Sequence, residues 1–218
     1  NPEPVIMGYD NMGNIIDKPG VGQYGYTQNY DVTLHGAYDE CANANPGPHA
    51  VRSIVGPKAN KFCYDLNGNM IHDNARDIVY SAFDKPTVIT QGDKSVEYKY
   101  APSRSRYKRI DRENGSVISS TTYVSNLERV KKGTLVENKY YIGDFAIVTK
   151  TEGDTSTTET NYLYRDHLGS LVAITDELGN VIDEFSFDPW GQRRLATFAP
   201  ITDWNQLSIL PTNRGYGD

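Results

Sequence analysis

The feature that most constrains this chain is a short motif that occurs more than once. Two strong copies agree at five positions and share an apolar residue at a sixth. Two weaker copies follow in the last quarter of the chain. Repetition of this kind predicts an architecture built from one small structural unit. The copies read Tyr9-Asp10-x-x-Gly13-Asn14-Ile15-Ile16, Tyr64-Asp65-x-x-Gly68-Asn69-Met70-Ile71, Thr175-Asp176-x-x-Gly179-Asn180-Val181-Ile182 and Phe187-Asp188-x-x-Gly191-Gln192.

The chemistry of the motif is that of a turn. Its aromatic residue ends a strand, and its Asp carboxylate can accept hydrogen bonds from backbone amides two residues on. Gly and Asn tolerate a positive φ, which most residues avoid. The motif therefore predicts a hairpin turn that leads directly into the next strand.

Composition favours short strands over helices. The chain has 16 Tyr against 6 Phe, together with 19 Gly and 11 Pro. Tyrosine suits a half-exposed sheet because its ring packs while its hydroxyl reaches solvent or backbone. We therefore predict an all-β fold, with a strand at 116–124 and hairpin tips at Gln91-Gly92-Asp93, Asn114-Gly115, Lys132-Gly133 and Glu152-Gly153-Asp154. Short helices are predicted only at 126–131 and 203–210, and longer loops at 41–49 and 196–215.

Charge and hydropathy exclude several classes of function. The net charge is −6, and basic residues gather only at 104–112, as a solvated face or a contact for an acidic partner, so a nucleic-acid partner is not expected. No apolar run of transmembrane length and no Sec signal are present. Two cysteines, Cys41 and Cys63, do not make a disulfide framework, and reduced thiols are favoured over a bond between them.

Catalysis and metal binding are not predicted. Asp166, His167 and Ser170 are residue types of a catalytic triad, but neighbours on a strand point to opposite faces. A turn with a hydrogen-bonded imidazole is the favoured reading, and His49 is expected to pack in its loop. A calcium-binding row of acids is disfavoured because each repeat supplies one Asp that its turn already uses. Those acids are Asp10, Asp65, Asp84 and Asp188, and no cofactor is expected.

Taken in order, these motifs resemble the tyrosine-aspartate (YD) repeat, or RHS repeat, family. Three further segments carry the resemblance besides the two strong copies, and the last of them, with the Phe187 copy, resembles the start of the RHS-associated core. We accordingly expect hairpin repeats over 1–165 and the beginning of the core region, ahead of a self-cleaving segment, over 166–218. The segments are Gly47-Pro48-His49-Ala50-Val51, Phe83-Asp84-Lys85-Pro86-Thr87 and Asp166-His167-Leu168-Gly169-Ser170, and the Phe187 copy reads Phe187-Asp188-Pro189-Trp190-Gly191.

The resemblance implies a curved, spiralling antiparallel sheet that forms part of a shell. In bacterial members such a shell encloses a C-terminal toxin domain in polymorphic toxins, type VI effectors or insecticidal toxin complexes. The expected partners are a toxin domain, other shell segments and a secretion-apparatus protein, with delivery out of a bacterial cell. The alternative is an adhesion module that binds glycan or a surface protein. The residues expected to carry the structure are Tyr9, Asp10, Gly13, Asn14, Tyr64, Asp65, Gly68, Asn69, Asp166, His167, Gly169, Phe187, Asp188, Trp190 and Gly191.

Overall fold

The structure is a computed structural model that describes residues 6–27, 31–35, 46–153, 156–188, 191 and 193–195. Its described residues are almost entirely β-strand, which confirms the predicted fold class. Seventeen strands belong to an antiparallel sheet, and two short ones form a separate hairpin. Within the larger sheet, strands that are consecutive along the chain pair with one another, so local turns determine the order of the strands.

The chain divides into two compact units, Asn1–Val117 and Ile118–Asp218. The first contains ten short strands and one helix among its described residues. The expected motif-based division between residues 165 and 166 rests on sequence and stays a prediction. The elements are β1 Gly8–Tyr9, β2 Ile15–Lys18, β3 Gly22–Tyr26, α1 Val32–His35, β4 Val51–Val55, β5 Asn60–Tyr64, β6 Met70–Asp73, β7 Asp77–Tyr80, β8 Pro86–Gln91, β9 Lys94–Tyr100 and β10 Arg106–Glu113.

The second unit contains the remaining nine strands of the described residues, and the first of them begins two residues before the unit boundary. Alternating apolar side chains on these strands build one continuous core. Its buried members are Tyr141, Ile147, Leu163, Leu171, Ile174 and Phe185. The elements are β11 Ser116–Val124, β12 Leu127–Lys132, β13 Leu135–Ile142, β14 Ala146–Glu152, β15 Thr158–Arg165, β16 Leu171–Thr175, β17 Val181–Glu184, β18 Ser186–Phe187 and β19 Arg193–Arg194.

Tight hairpin tips lie where glycine and asparagine predicted them. The turn between β10 and β11 contains Asn114 with φ 50° and Gly115 with φ 76°. Two successive positive φ angles give the turn a twist that matches the twist of the flanking strands. The turn between β8 and β9 also has two residues and places Gly92 at φ 59°.

The helix predicted at 126–131 is wrong. These residues lie mostly in β12, which pairs with β11 through Thr122 and Arg129 and with β13 through Arg129 and Asn138. Pairing on both edges outweighs the weak helical tendency of a six-residue segment. The helix predicted at 203–210 and the loop predicted at 196–215 fall outside the described residues.

The four-residue helix α1 was not predicted from the sequence. Asp31 caps it by accepting hydrogen bonds from the backbone N–H groups of Thr33 (2.8 Å) and Leu34 (3.4 Å). The helix places His35 in a buried site, where its Nδ1 lies 2.8 Å from Ser53 Oγ. Burial there lowers the pKa of His35.

The expectation of reduced thiols is wrong for Cys63, which is disulfide-bonded and buried on β5. Cys41 is the only other cysteine of the sequence, and it lies outside the described residues. Spacing alone could not reveal the bond because two cysteines 22 positions apart can meet or not, depending on the path of the chain between them. Among the described residues, no helix is long and apolar enough to cross a membrane.

Candidate functional site

The repeated motif folds into one five-residue loop with a fixed pattern of backbone hydrogen bonds. In the first copy, the N–H of Asp10 donates to the carbonyl of Asn14 at 2.9 Å, and the N–H of Gly13 donates to the carbonyl of Asp10 at 3.1 Å. Gly13 has φ 83°, a conformation that a side chain would strain. The two bonds close the loop and return the chain into the next strand.

The Asp carboxylate at the first position fills the centre of this loop. Asp10 Oδ1 accepts hydrogen bonds from the backbone N–H groups of Met12 (2.9 Å) and Asn14 (2.8 Å), while Oδ2 accepts one from Asn14 Nδ2 at 2.9 Å. The side-chain bond from Asn14 is the largest of the effects that lower the pKa of Asp10. The acid therefore acts as a structural bond acceptor, as the motif predicted.

The second strong copy repeats this arrangement. The backbone N–H groups of Asn67 and Asn69 both donate to Asp65 Oδ1 at 2.9 Å, and Asn69 Nδ2 donates to Oδ2 at 3.0 Å. Burial acts to raise the pKa of Asp65, but the hydrogen bonds from Asn69 and its neighbours outweigh it, and the pKa is lowered. Gly68 has φ 85°.

The same loop forms at Asp166, where the sequence had suggested catalytic residue types. The backbone N–H groups of Leu168 and Ser170 donate to Asp166 Oδ1 at 2.9 Å. His167 is exposed, and the buried Ser170 Oγ has no hydrogen-bond partner. The expected hydrogen bond to the imidazole is not among those of the described residues, and the three side chains do not form a triad.

The weaker copy at Asp176 is complete as well. The N–H of Asp176 donates to the carbonyl of Asn180 at 2.9 Å, and Asn180 Nδ2 donates to Asp176 Oδ2 at 2.8 Å. The bond from the Asn180 side chain is the main cause of the lowered pKa of Asp176.

The copy at Asp188 is described only in part. The N–H of Gly191 donates to the carbonyl of Asp188 at 2.9 Å, and Gly191 has φ 81°. Phe187, just before it, packs against the apolar core of the second unit. Trp190, a predicted motif residue, lies outside the described residues.

A further loop of the same form begins at Ser81, three residues before the position that the sequence predicted. The prediction placed Asp84 at the first position of the motif. The N–H of Ser81 donates to the carbonyl of Lys85 at 2.9 Å, and the N–H of Asp84 donates to the carbonyl of Ser81 at 3.1 Å. Asp84 therefore occupies the glycine position, with φ 58°. Ser81 Oγ replaces the usual carboxylate and accepts a hydrogen bond from the N–H of Lys85 at 3.2 Å.

The sequence gives no motif at all for another copy, at 101–105. The N–H of Ala101 donates to the carbonyl of Ser105 at 2.9 Å, and the N–H of Arg104 donates to the carbonyl of Ala101 at 2.8 Å. Arg104 has φ 62°. A positive φ at residues that rarely adopt it is the structural sign that identifies this copy.

Neighbouring loops are joined by asparagine side chains. Asp84 Oδ1 accepts hydrogen bonds from Asn69 Nδ2 (2.8 Å) and Asn67 Nδ2 (3.1 Å), which link the loops at 65–69 and 81–85. Asn14 makes a similar link, since its Oδ1 lies 2.7 Å from His49 Nδ1. The described residues contain no group of acids, histidines or cysteines that could hold a metal ion.

Tyrosine hydroxyls close the open ends of three hairpins. In each case the last residue of a strand donates to the carbonyl of the first residue of the preceding strand. The bonds run from Tyr26 to Ile15 (3.0 Å), from Tyr64 to Val51 (2.7 Å) and from Tyr100 to Pro86 (2.7 Å). This geometry gives a physical reason for the excess of Tyr over Phe. Tyr9 differs, because its ring is exposed and its hydroxyl contacts Met7 Sδ at 3.6 Å.

The basic cluster at 104–112 contacts groups on its own and adjacent segments. The guanidinium of Arg104 lies 5.6 Å from the centre of the Phe83 ring, and that of Arg106 lies 5.2 Å from that of Tyr98. Arg112 donates to Glu97 at 3.0 Å, and this bond lowers the pKa of Glu97. These contacts give the cluster a role in holding β9 and β10 together.

Comparison with known proteins finds a likeness of structure. Neither a protein-family model nor a curated protein matches this chain. A chain in the structure of the Photorhabdus luminescens Tc holotoxin pore superposes with a TM-score of 0.63 at 16% identity, over 88% of this chain and 10% of that chain. The fold is shared. The neighbour is a toxin-complex chain, in line with the fold expected from the repeat resemblance, and this chain spans about a tenth of its length.

Another structure, TcdB2-TccC3 without its hypervariable C-terminal region, matches with a TM-score of 0.49 at 14% identity, over 88% of this chain and 13% of that chain.

Proposed function

We propose that this chain is a wall segment of a bacterial toxin-enclosing shell of the RHS type. The observation that supports it is a succession of antiparallel hairpins whose ends are closed by one recurring loop. Each hairpin pairs with the one before it, so repeating the same unit extends the sheet. The fold shared with the Tc holotoxin pore chain agrees with this role.

In this proposal the wall works mechanically and has no catalytic step. The carboxylates of the motif are occupied by backbone amides, as at Asp65 and Asp166. Its partners are an enclosed toxin domain and further wall segments, and the whole is delivered out of the bacterial cell. Mass spectrometry of the purified chain after incubation should find no self-generated fragment, and a defined cleavage product would contradict a purely mechanical role.

The test is limited proteolysis of the enclosed domain. The domain should resist protease within the full-length gene product and be cleaved when expressed alone. Weakening the wall by Gly68→Val together with Ile147→Ala should restore cleavage. Leu178→Ala at an exposed loop tip is the matched control and should leave protection intact. Equal cleavage with and without the wall would overturn the proposal.

A second candidate function is recognition of a glycan or a surface protein. Tyr162 and Tyr164 lie two residues apart on β15 and are 41% and 51% exposed. Tyr140 and Thr160 lie on the same face of the sheet, since both flank Val148 in register. Exposed aromatic rings on one face can stack on sugars or on a protein surface.

A glycan array separates the two candidates. Binding that is lost in Tyr162→Ala and Tyr164→Ala, and kept in Val181→Ala at another exposed position, would favour recognition. An array with no signal above background would leave the wall as the better proposal.

A further inference from the structure

The sequence contains two Asn-Gly pairs, Asn67-Gly68 and Asn114-Gly115. Asparagine followed by glycine is prone to lose its side-chain amide, because a residue without a Cβ lets its backbone nitrogen approach the preceding side-chain carbonyl. The two pairs have the same chemistry but different surroundings. The structure therefore supplies an internal comparison.

The surroundings of Asn67 restrain both reacting groups. Its Nδ2 donates to Asp84 Oδ1 at 3.1 Å, and its own N–H donates to Asp65 Oδ1 at 2.9 Å. The N–H of Gly68, which supplies the attacking nitrogen, donates to the carbonyl of Asp65 at 3.1 Å. Reaction at this pair requires that the loop open first.

The surroundings of Asn114 restrain much less. It lies in the exposed two-residue turn between β10 and β11, and its N–H donates to the carbonyl of Asp93 at 2.8 Å. No described residue makes a hydrogen bond to its side-chain amide or to the N–H of Gly115. Apart from Gly115 and its two chain neighbours, no heavy atom would lie within 4 Å of a Cβ placed on Gly115. Only the local conformation of the turn has to change for the nitrogen to reach the side chain.

We propose that Asn114 is a site of spontaneous deamidation and that the loop at 65–69 protects Asn67 from it. The Gly115 nitrogen gives its proton to water and attacks Asn114 Cγ. The new N–Cγ bond closes a five-membered succinimide as the Cγ–Nδ2 bond breaks, and ammonia leaves with a proton from water. Water then opens the ring at either carbonyl, which leaves aspartate or isoaspartate at position 114.

The product alters the hairpin in which it forms. Either form adds one negative charge beside Glu113 and Asp93, at a tip where Lys94 pairs with Glu113 at 3.6 Å. Isoaspartate also inserts a methylene into the backbone of a turn that has only two residues. That extra atom disturbs the geometry of the turn, so the modification acts on the chain at one defined place.

The experiment follows deamidation by peptide mapping of the whole chain during incubation at mildly alkaline pH. The peptide that contains Asn114 should gain the mass of an amide-to-acid exchange several-fold faster than the peptide that contains Asn67. In denaturant the two rates should become similar, because the dipeptides are the same. Equal rates in the folded chain, or no reaction at Asn114, would overturn the proposal.

Two variants test the cause of the difference. Asp84→Ala frees the side chain of Asn67 and should raise the rate at Asn67 several-fold while leaving Asn114 unchanged. Asn114→Gln should abolish modification at the β10–β11 tip, since a six-membered ring closes far more slowly. Circular dichroism checks that each variant is folded. An unchanged Asn67 rate in folded Asp84→Ala would refute a protective role of the bond from Asn67 Nδ2 to Asp84 Oδ1.

Discussion

The two compact units reach stability by different means. In Ile118–Asp218, buried apolar side chains of β13 to β16 form one continuous cluster with Phe185. Among the described residues of Asn1–Val117, buried apolar and buried polar residues are equal in number, and none of the apolar ones belongs to that cluster. Within the described part of this unit, the buried apolar residues are Tyr26, Cys63, Ile78 and Ile110, and the buried polar ones are Asn14, His35, Ser53 and Asp73.

The difference shows how a sheet with a small core can hold together. Asp73 is 2% exposed, accepts hydrogen bonds from the N–H groups of Ala75 (2.9 Å) and Arg76 (2.7 Å), and pairs with the Arg76 guanidinium at 2.6 Å. Such bonds contribute little net free energy but cost much when one partner is lost. The first unit should therefore be sensitive to single polar changes, and the second to loss of volume.

The largest effect is expected for Ile147→Ala. This side chain is fully buried, and its removal leaves a cavity in the continuous core. We expect a loss of about 4 kcal/mol of unfolding free energy. Hydrogen exchange should show reduced protection in β13–β16 and little change in β2–β5. Exposed Ile142→Ala is the control, and a similar loss there would argue against a core confined to the buried cluster.

The second-largest loss of stability is expected when the disulfide at Cys63 is removed. A cross-link that closes a loop of about twenty residues contributes about 3 kcal/mol, and Cys41 is the only partner that the sequence offers. Cys63→Ser should lower the melting temperature, and reductant should lower that of the unmodified chain by a similar amount. If the melting temperature of Cys63→Ser still fell with reductant, the effect of reductant would not come from this bond, which would contradict the prediction.

Gly68→Val should cost about 2 kcal/mol, because a β-branched residue is strained at φ 85°. Space is not the reason, since an added Cβ would meet only Pro46 O at 3.9 Å. Gly68→Asn, which tolerates positive φ, should cost much less in the same denaturant titration. Equal losses for the two variants would mean that crowding, and not backbone strain, governs this position.

Tyr64→Phe should cost about 1 kcal/mol, the net value of one hydrogen bond. The ring stays, and only the bond from its hydroxyl to Val51 O disappears. Tyr162→Phe, at an exposed position, is the control and should have no measurable effect. If Tyr64→Phe left the free energy of unfolding unchanged, the hydrogen bond to Val51 O would be no stronger than the bond that the hydroxyl makes with water in the unfolded chain.

The smallest expected effect is the loss of stability when acid protonates the carboxylates of the first unit. The pKa values of Asp10, Asp65 and Asp73 in the first unit are lowered from 3.8. Groups of this kind stabilise the fold above the unfolded pKa, and the stabilisation is lost as pH falls through the folded values. Acid should therefore reduce exchange protection in the first unit before the core of the second. Loss in the reverse order would contradict the comparison.

The strands and most turns could be predicted because their causes are local. Gly115 and Gly92 mark tips, and the Asp-x-x-Gly spacing marks loops whose bonds lie within five residues. The loop at 101–105 could not be predicted, since Ala101 and Arg104 lack the side chains that identify the others. Pairing on both edges turned β12 into a strand, and the bond at Cys63 depends on the path of the chain. These are consequences of tertiary contacts.

The recurring loop also bears on how far sequences of this kind can diverge. Its essential bonds join backbone atoms, and they form around Asp65, Ser81 and Ala101 alike. Packing constrains the side chains at the loop tips little, since Leu66 and Leu178 are 87% and 82% exposed. A sheet built on this loop can exchange many side chains while its backbone remains superposable. Such tolerance is compatible with the fold that this chain and the toxin-complex chain share at 16% identity.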